Sequence, residues 1–280
     1  MTVPTITLHD GTSIPQLGFG VYQVPPPETK ATVAQALEVG YRHIDTAQMY
    51  GNEAGVGEAI RESGLDRDDL YVTTKLNNTF HLPDDARREI DASLERLDVE
   101  QVDLFLIHWP LPTRYDGDFV QTWRALIEAQ EAGKTRSIGV SNFQPAHLAR
   151  IVEETGVVPV VNQVEVHPFF ANEDVRAANT KHGVLTEAWS PIAQGKVVDD
   201  DTIGEIASLV GRTPAQVALR WHVQRGDIVF PKSMSAERMK QNFEIFDFEL
   251  EPTHMSAIDE LDGGESGRMG PNPDTFDWIP

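Results

Sequence analysis

The feature that most constrains the fold of this chain is a repeated alternation of short β-rich segments and longer amphipathic segments. Eight segments have the apolar, β-branched composition of strands, and a helix-like segment follows each of them. The β-rich segments read GFGVY, YRHID, LYVTTK, VDLFLIH, TRSIGVS, VVNQVEV, VLTEAWS and DIVFPKS. The helix-like segments carry end signals, such as the glycine that closes ETKATVAQALEVG and the proline that opens PDDARREIDASLERL.

This alternation predicts one closed barrel of parallel strands. Strand–helix–strand units make successive strands parallel, and eight units in a chain of 280 residues fit a (β/α)8 TIM barrel. No G-x-G-x-x-G follows a β-rich segment, so the signature of an open Rossmann sheet is missing. Apolar and polar residues alternate around Asp10-Gly11, which predicts a β-hairpin before the barrel. The last segment, DGGESGRMGPNPDTFDWIP, predicts a C-terminal loop tail. Because no linker-like stretch interrupts the pattern, residues 1–280 are expected to form a single domain.

The charge balance argues against several classes of partner. The chain has 23 basic and 44 acidic residues, a formal net charge of −21, which disfavours nucleic acid and anionic membrane surfaces. With no cysteine, it has neither disulfides nor thiol-based sites. No signal peptide or membrane span is visible, so a soluble cytoplasmic protein, expected to be a monomer, is the default expectation.

Polar residues stand at the ends of the predicted strands, where the loops of a barrel gather and where barrel enzymes keep their active sites. They are Tyr22, Asp45, Lys75, His108, Ser141, Asn142, Gln163, Trp189, Ser190, Lys232 and Ser233. Since each occupies the same place in its own unit, the barrel should bring them to one mouth.

Four of the residues near this mouth suggest proton transfer to a carbonyl oxygen. The Tyr50 hydroxyl is a weak acid, and a lysine ammonium from Lys75 would lower its pKa. Asp45 would hold the lysine charge, and His108 could hydrogen-bond to a substrate carbonyl. Taken alone, each residue also has a structural interpretation: Asp45 and Lys75 as a buried ion pair, His108 as a core histidine, and Tyr50 as a packed aromatic residue. Their joint placement favours catalysis, and no metal cluster is predicted.

A carbonyl that is protonated must also receive a hydride or another nucleophile, which raises the question of a cofactor. Ser141, Asn142 and Gln163 suit the carboxamide of a nicotinamide, and Trp189 could stack on a flat ring. The segment FPKSMSAERMKQNF places basic and polar side chains at a strand end and a helix start, where phosphates bind. These residues are Lys232, Ser233, Arg238, Gln241 and Asn242.

Eight segments spread along the chain carry a family resemblance: LGFGVYQV, GYRHIDTAQMYGNE, TTKL, VDLFLIHWP, TRSIGVSNF, VVNQVEVHP, PAQVALRWH and FPKS. Together they resemble the aldo-keto reductases, and most closely the bacterial 2,5-diketo-D-gluconate reductases. The resemblance covers nearly the whole chain and implies NADPH-dependent reduction of aldehydes or ketones on a (β/α)8 barrel. It implies that Tyr50 is the general acid, supported by Asp45 and Lys75, with His108 orienting the substrate. The nicotinamide contacts would fall on Ser141, Asn142 and Gln163, and the nicotinamide ring would stack on Trp189, beside Ser190. The adenosine-phosphate contacts would fall on Lys232, Ser233 and Arg238, with Gln241 and Asn242 near the adenine.

The same resemblance implies a substrate pocket lined or covered by Tyr22, Trp109 and the tail aromatics Phe276 and Trp278. Three departures accompany it. Asn77 stands where this group often has tryptophan, which predicts a roomier or more polar wall. The stretch after SPIAQGK is short, and Gln241 replaces an acidic residue of some relatives.

Two other functions compete with a carbonyl reductase. RHID faintly resembles a metal-binding strand end, which would suit a metal-dependent barrel hydrolase, but further ligands on later strands are not evident. A non-catalytic pyridine-nucleotide sensor, or a structural protein on the same barrel, is the second. The intact set of Tyr50, Lys75, Asp45 and His108 argues against it.

Overall fold

The computed structural model describes residues 2–280 and contains the predicted barrel. Two short strands, β1 and β2, form an antiparallel hairpin, and strands β3 to β10 form one parallel sheet in which each strand pairs with the next in the chain. The strands are β1 (Thr5–Thr7), β2 (Ser13–Pro15), β3 (Phe19–Gly20), β4 (His43–Asp45), β5 (Tyr71–Leu76), β6 (Val102–Ile107), β7 (Thr135–Ser141), β8 (Val161–Glu165), β9 (Leu185–Trp189) and β10 (Ile228–Val229).

The first and last strands of this sheet meet and close the barrel. Leu17, just before β3, pairs in parallel with Val229 on β10. The Gly18 N–H donates to the Val229 carbonyl at 2.8 Å, and the Val229 N–H donates to the Gln16 carbonyl at 3.1 Å. The prediction of eight parallel strands in a (β/α)8 barrel behind an N-terminal hairpin is confirmed.

Ten α-helices lie in the described chain, and prolines open five of them as helix starts favour. They are α1 (Pro26–Val39), α2 (Glu53–Glu62), α3 (Pro83–Leu97), α4 (Phe119–Glu131), α5 (Pro145–Thr155), α6 (Glu173–His182), α7 (Asp201–Val210), α8 (Pro214–Gln224), α9 (Ala236–Phe243) and α10 (Pro252–Asp259). Helices α7 and α10 were not predicted. The acid-rich start of α7 looks like a loop in sequence, yet Asp200 caps it by accepting from the Ile203 N–H at 2.9 Å.

The hairpin covers the N-terminal end of the barrel. Its Ile14 is fully buried and packs in one apolar cluster with side chains that begin three of the barrel strands, namely Tyr71, Val161 and Ile228. The lower end of the barrel is therefore filled, and the polar strand ends face the opposite mouth.

The C-terminal tail, which has a 3-10 turn at Gly264–Gly267 and no strand, crosses that mouth. It is held to the β8–α6 loop, where the Gly263 N–H donates to the Phe169 carbonyl at 3.0 Å. Farther on, Arg114 donates to the Asp277 carbonyl at 3.1 Å, and Asn78 donates to the Trp278 carbonyl at 3.0 Å. The predicted loop-rich tail is thus ordered by contacts with loops from across the barrel.

Candidate active site

Lys75 lies at the centre of the polar cluster, at the C-terminal end of β5. Its ammonium is completely buried and donates to Asp45 Oδ1 at 2.7 Å and to the Thr46 carbonyl at 2.8 Å. Burial opposes the charged form, but the Asp45 carboxylate and Tyr50 outweigh it and raise the pKa of Lys75 above its ordinary value. The buried cation is therefore retained, paired and hydrogen-bonded as a buried charge requires.

Tyr50 ends a short 3-10 turn, Gln48–Tyr50, which is closed by Gly51 in the left-handed conformation at φ 66°. The Gln48 side chain ties this turn to neighbouring backbone: its amide nitrogen donates to the Glu89 carbonyl at 2.8 Å, and its oxygen accepts from the Asn77 N–H at 2.7 Å. The Tyr50 hydroxyl is thereby placed 3.5 Å from Lys75 Nζ.

The acidity of Tyr50 differs from the sequence-based expectation. Burial raises the pKa of Tyr50 to about 12, although the Lys75 ammonium pulls it down. The sequence predicts that Lys75 lowers the pKa of Tyr50, and this prediction is wrong for the net shift. The cost of burying a phenolate is larger than the attraction of the one cation. Tyr50 is accordingly protonated at neutral pH, as a proton donor must be.

His108 faces Tyr50 from the end of β6, with ring centroids 5.6 Å apart. Its Nδ1 is buried without a hydrogen-bond partner in the described chain. Burial, helped by the positive charge of Lys75, lowers the pKa of His108 well below its ordinary value. The imidazole is therefore neutral at pH 7 and retains hydrogen-bonding capacity that the protein does not use.

Gln163 and Glu187 extend the cluster into the barrel interior. The Gln163 amide nitrogen donates to Asp45 Oδ2 at 2.9 Å and to Glu187 Oε2 at 3.0 Å. Both amide hydrogens are thus committed to side-chain carboxyl groups, which leaves the Gln163 oxygen as the free hydrogen-bonding atom of that side chain. Burial, followed by the repulsion of Asp45, raises the pKa of Glu187 to about 8.

Glu187 was missed by the sequence analysis. It stands in the middle of VLTEAWS, a strand otherwise suited to burial, and it is fully buried. An acidic residue at an interior position of a buried strand is rare without a partner, and that signal could have marked it.

A second network joins Ser141, Asn142 and Trp189 at the mouth. Asn142, in the left-handed conformation at φ 64°, donates to the His108 carbonyl at 2.9 Å and to Ser141 Oγ at 3.0 Å. The Trp189 indole N–H donates to Asn142 Oδ1 at 2.9 Å, and Ser141 Oγ donates to the Gln163 carbonyl at 2.8 Å. Ser190 follows Trp189 at a left-handed φ of 52°. The structure therefore connects these predicted residues with the Lys75 cluster.

The predicted basic segment runs from the end of β10 through α9. Ser235 caps α9 by accepting from the Arg238 N–H, and Lys232 and Arg238 extend from the surface around this helix start. Lys240 on the same helix pairs with Glu244 at 3.9 Å, whereas no carboxylate among residues 2–280 pairs with Lys232 or Arg238. Ser233 and Asn242 are buried nearby, and Gln241 donates to Glu237 at 3.3 Å.

The aromatic residues predicted for the substrate pocket lie around the mouth in two groups. Tyr22 is 58% exposed, and its ring centroid is 5.1 Å from that of Tyr50. Trp109 packs on Phe276 of the tail at 4.2 Å, and Trp278 is half-exposed close to the chain end. The Asn77 oxygen accepts from the Thr79 N–H at 3.0 Å, so this side chain also caps a local turn.

Two observations bear on the other functions considered. Within residues 2–280, no three histidine, aspartate or glutamate side chains come together as a metal site would require. No helix of residues 2–280 has both the length and the apolar character of a membrane span.

Fold and site together define a (β/α)8-barrel oxidoreductase, with a protonated tyrosine, a buried lysine and a neutral histidine at one mouth. The profile of the aldo/keto reductase family matches residues 15–263. An aldo-keto reductase of Mycolicibacterium smegmatis is 49% identical over 98% of both chains. A methylglyoxal reductase DkgA of Yersinia pestis is 46% identical over 98% of this chain and 97% of its own.

A solved structure shows the same similarity in three dimensions. A mutant of Gox0644 in complex with NADPH superposes with a TM-score of 0.94 at 44% identity, covering 99% of both chains. The chain belongs to the aldo/keto reductase family, and it is an enzyme that reduces carbonyl compounds, as the sequence analysis predicted.

Proposed function

We propose that this enzyme uses NADPH to reduce small aldehydes and ketones, dicarbonyls such as methylglyoxal or 2,5-diketo-gluconate among them, with Tyr50 as the general acid. The observation that carries the proposal is the contact of the Tyr50 hydroxyl with Lys75, whose charge is held by Asp45 at 2.7 Å. A relative in Yersinia pestis named methylglyoxal reductase supports the choice of small dicarbonyls.

The catalytic side chains divide the work of adding a proton to a carbonyl. Bound NADPH supplies the hydride. The Tyr50 hydroxyl gives its proton to the carbonyl oxygen, and the Lys75 ammonium stabilises the phenolate that remains. Asp45 keeps Lys75 charged and fixed in place. His108, neutral at pH 7, donates a hydrogen bond that orients the carbonyl toward Tyr50. Its low pKa favours this role because an imidazolium would add a second cation beside Lys75.

Several features of the mouth fit a nicotinamide dinucleotide. The free Gln163 oxygen can accept from a carboxamide N–H, since both hydrogens of its own amide are bonded to Asp45 and Glu187. Trp189, held by Asn142, offers an indole for stacking. The unpaired charges of Lys232 and Arg238 at the start of α9 suit phosphates, the 2′-phosphate included.

The decisive experiment compares Tyr50→Phe with Tyr22→Phe. Each variant loses one phenolic hydroxyl at the mouth, but only Tyr50 contacts Lys75. Following NADPH oxidation with methylglyoxal, we expect Tyr50→Phe to lower kcat by about 10²–10⁴-fold while NADPH affinity stays close to wild type. Tyr22→Phe should retain activity within a few-fold. Near-normal turnover by Tyr50→Phe would refute the assignment of the acid.

A further inference from the structure

The tail is fastened to the barrel by a buried carboxylate that lies outside the catalytic cluster. Glu165, at the end of β8, is 1% exposed, and it accepts hydrogen bonds from the backbone N–H groups of Met269 at 2.6 Å and Gly270 at 2.9 Å. His167 Nε2 lies 3.1 Å from the same carboxylate. Hydrogen bonds to a carboxylate are about twice as strong as neutral ones, so this contact is a firm attachment of the tail.

The residue held in this way lies against the Trp189 ring. A Cβ added at Gly270 would lie 2.5 Å from Trp189 Cη2 and 3.0 Å from Glu165 Oε2. Such distances leave no room for any side chain, and only glycine lets the tail backbone approach the indole so closely. Gly270 is not in the left-handed conformation, so the restriction comes from contact rather than from backbone strain.

The indole is consequently held at both ends. Its N–H donates to Asn142 Oδ1 at 2.9 Å, and the far edge of its six-membered ring abuts Gly270. One end is fixed by the β7 strand end and the other by the tail, so the tilt of the ring depends on where Glu165 holds the tail.

We propose that Glu165 and Gly270 are positioning residues for the cofactor: Glu165 fixes the tail, and Gly270 sets the pose of the Trp189 indole on which the nicotinamide stacks. This inference rests on the proposed NADPH-dependent function. It assigns the tail a role in cofactor binding in addition to its place in the wall of the substrate pocket, where Phe276 packs on Trp109.

The test uses Gly270→Ala and Glu165→Gln in the full chain. Gly204→Ala is the matched control for the glycine, because a Cβ at Gly204 meets nothing within 4 Å and its φ is not positive. Glu260→Gln is the control for the carboxylate, because Glu260 is an exposed glutamate shortly before the tail and no cation among residues 2–280 pairs with it. Titrations with NADPH and with adenosine 2′,5′-bisphosphate, which lacks the nicotinamide, separate ring stacking from phosphate binding.

We expect Gly270→Ala and Glu165→Gln to raise the NADPH Kd by about 2- to 12-fold, the loss of an aromatic stacking interaction of about 0.5–1.5 kcal/mol. Affinity for adenosine 2′,5′-bisphosphate should not change, and both controls should match wild type. In the wild-type protein, NADPH should also slow hydrogen exchange at the Met269 and Gly270 amides, a measurement that needs no variant.

Three results would overturn the inference: an unchanged NADPH Kd in Gly270→Ala, equal weakening of both ligands, or unchanged exchange at the two amides. Failure of the proposed function itself would look different, because wild-type protein would then neither bind NADPH nor reduce methylglyoxal.

Discussion

Glu187 provides a sharp test of the electrostatics of the site. Its carboxyl is fully buried, its Oε2 accepts from Gln163, and its Oε1 has no partner in the described chain. Because the pKa of Glu187 rises from an ordinary 4.5 to about 8, the folded protein holds a proton that the unfolded chain releases. A raised pKa contributes stability that is complete below about pH 4.5 and is lost as the pH rises toward about 8.

Glu187→Gln removes this titration and keeps the size of the side chain. Integrating the proton linkage between pH 6 and pH 8, wild type should lose about 2 kcal/mol more of its free energy of unfolding than the variant does. Urea unfolding followed by circular dichroism at both pH values and constant ionic strength measures the difference.

The control is Glu131→Gln, which changes an exposed carboxylate near the end of α4. It should follow wild type at both pH values. Infrared spectra near pH 7 should show one protonated carboxyl band that Glu187→Gln lacks. Equal pH dependence of wild type and Glu187→Gln would refute the reasoning, because it would mean that Glu187 is ionised in the folded protein.

Three further predictions concern the cofactor, the pocket and acid stability. Arg238→Ala should lose about 1.5–3 kcal/mol of NADPH binding while NADH binding changes much less, and equal losses in calorimetric titrations would show that Arg238 does not bind the 2′-phosphate. Asn77→Trp should change kcat/KM unequally across a panel of small and large carbonyls, whereas a uniform effect would place Asn77 outside the pocket. Burial lowers the pKa of His81 to about 3, so the stability that the neutral, buried imidazole contributes to the fold is lost as the pH falls below about 6.5. Between pH 7 and pH 5.5, urea unfolding should show wild type losing about 1 kcal/mol more than His81→Gln, and parallel losses would contradict a neutral buried His81.

Much of the fold and the centre of the site could be predicted because both depend on local patterns. Each strand and most helices have their own composition and end signals, and the barrel places strand ends together whatever the loops do. Asp45, Lys75 and His108 were therefore assigned to one mouth from their positions at or just after the ends of β4, β5 and β6, and the structure brings them together.

Contacts between distant parts of the chain could not be predicted in the same way. The Glu165 carboxylate meets amides that are 104 and 105 residues away, and no pattern near either partner indicates the other. The net pKa shift of Tyr50 also depends on how completely it is buried, a quantity set by tertiary packing. Helix α7 was missed because its cap lies in a run of acidic residues that looks like a loop.

The two ends of the described chain lie at opposite ends of the barrel, which decides how an attached group would affect the site. The first described residues, from Thr2, lead into the hairpin that fills the lower end, whereas the last residues bond to Asn78 and Arg114 beside the upper mouth. A fusion partner or affinity tag at the N-terminus would therefore project away from the candidate active site. The same tag at the C-terminus would extend from the rim of the substrate entrance, where it could slow the exchange of reactants.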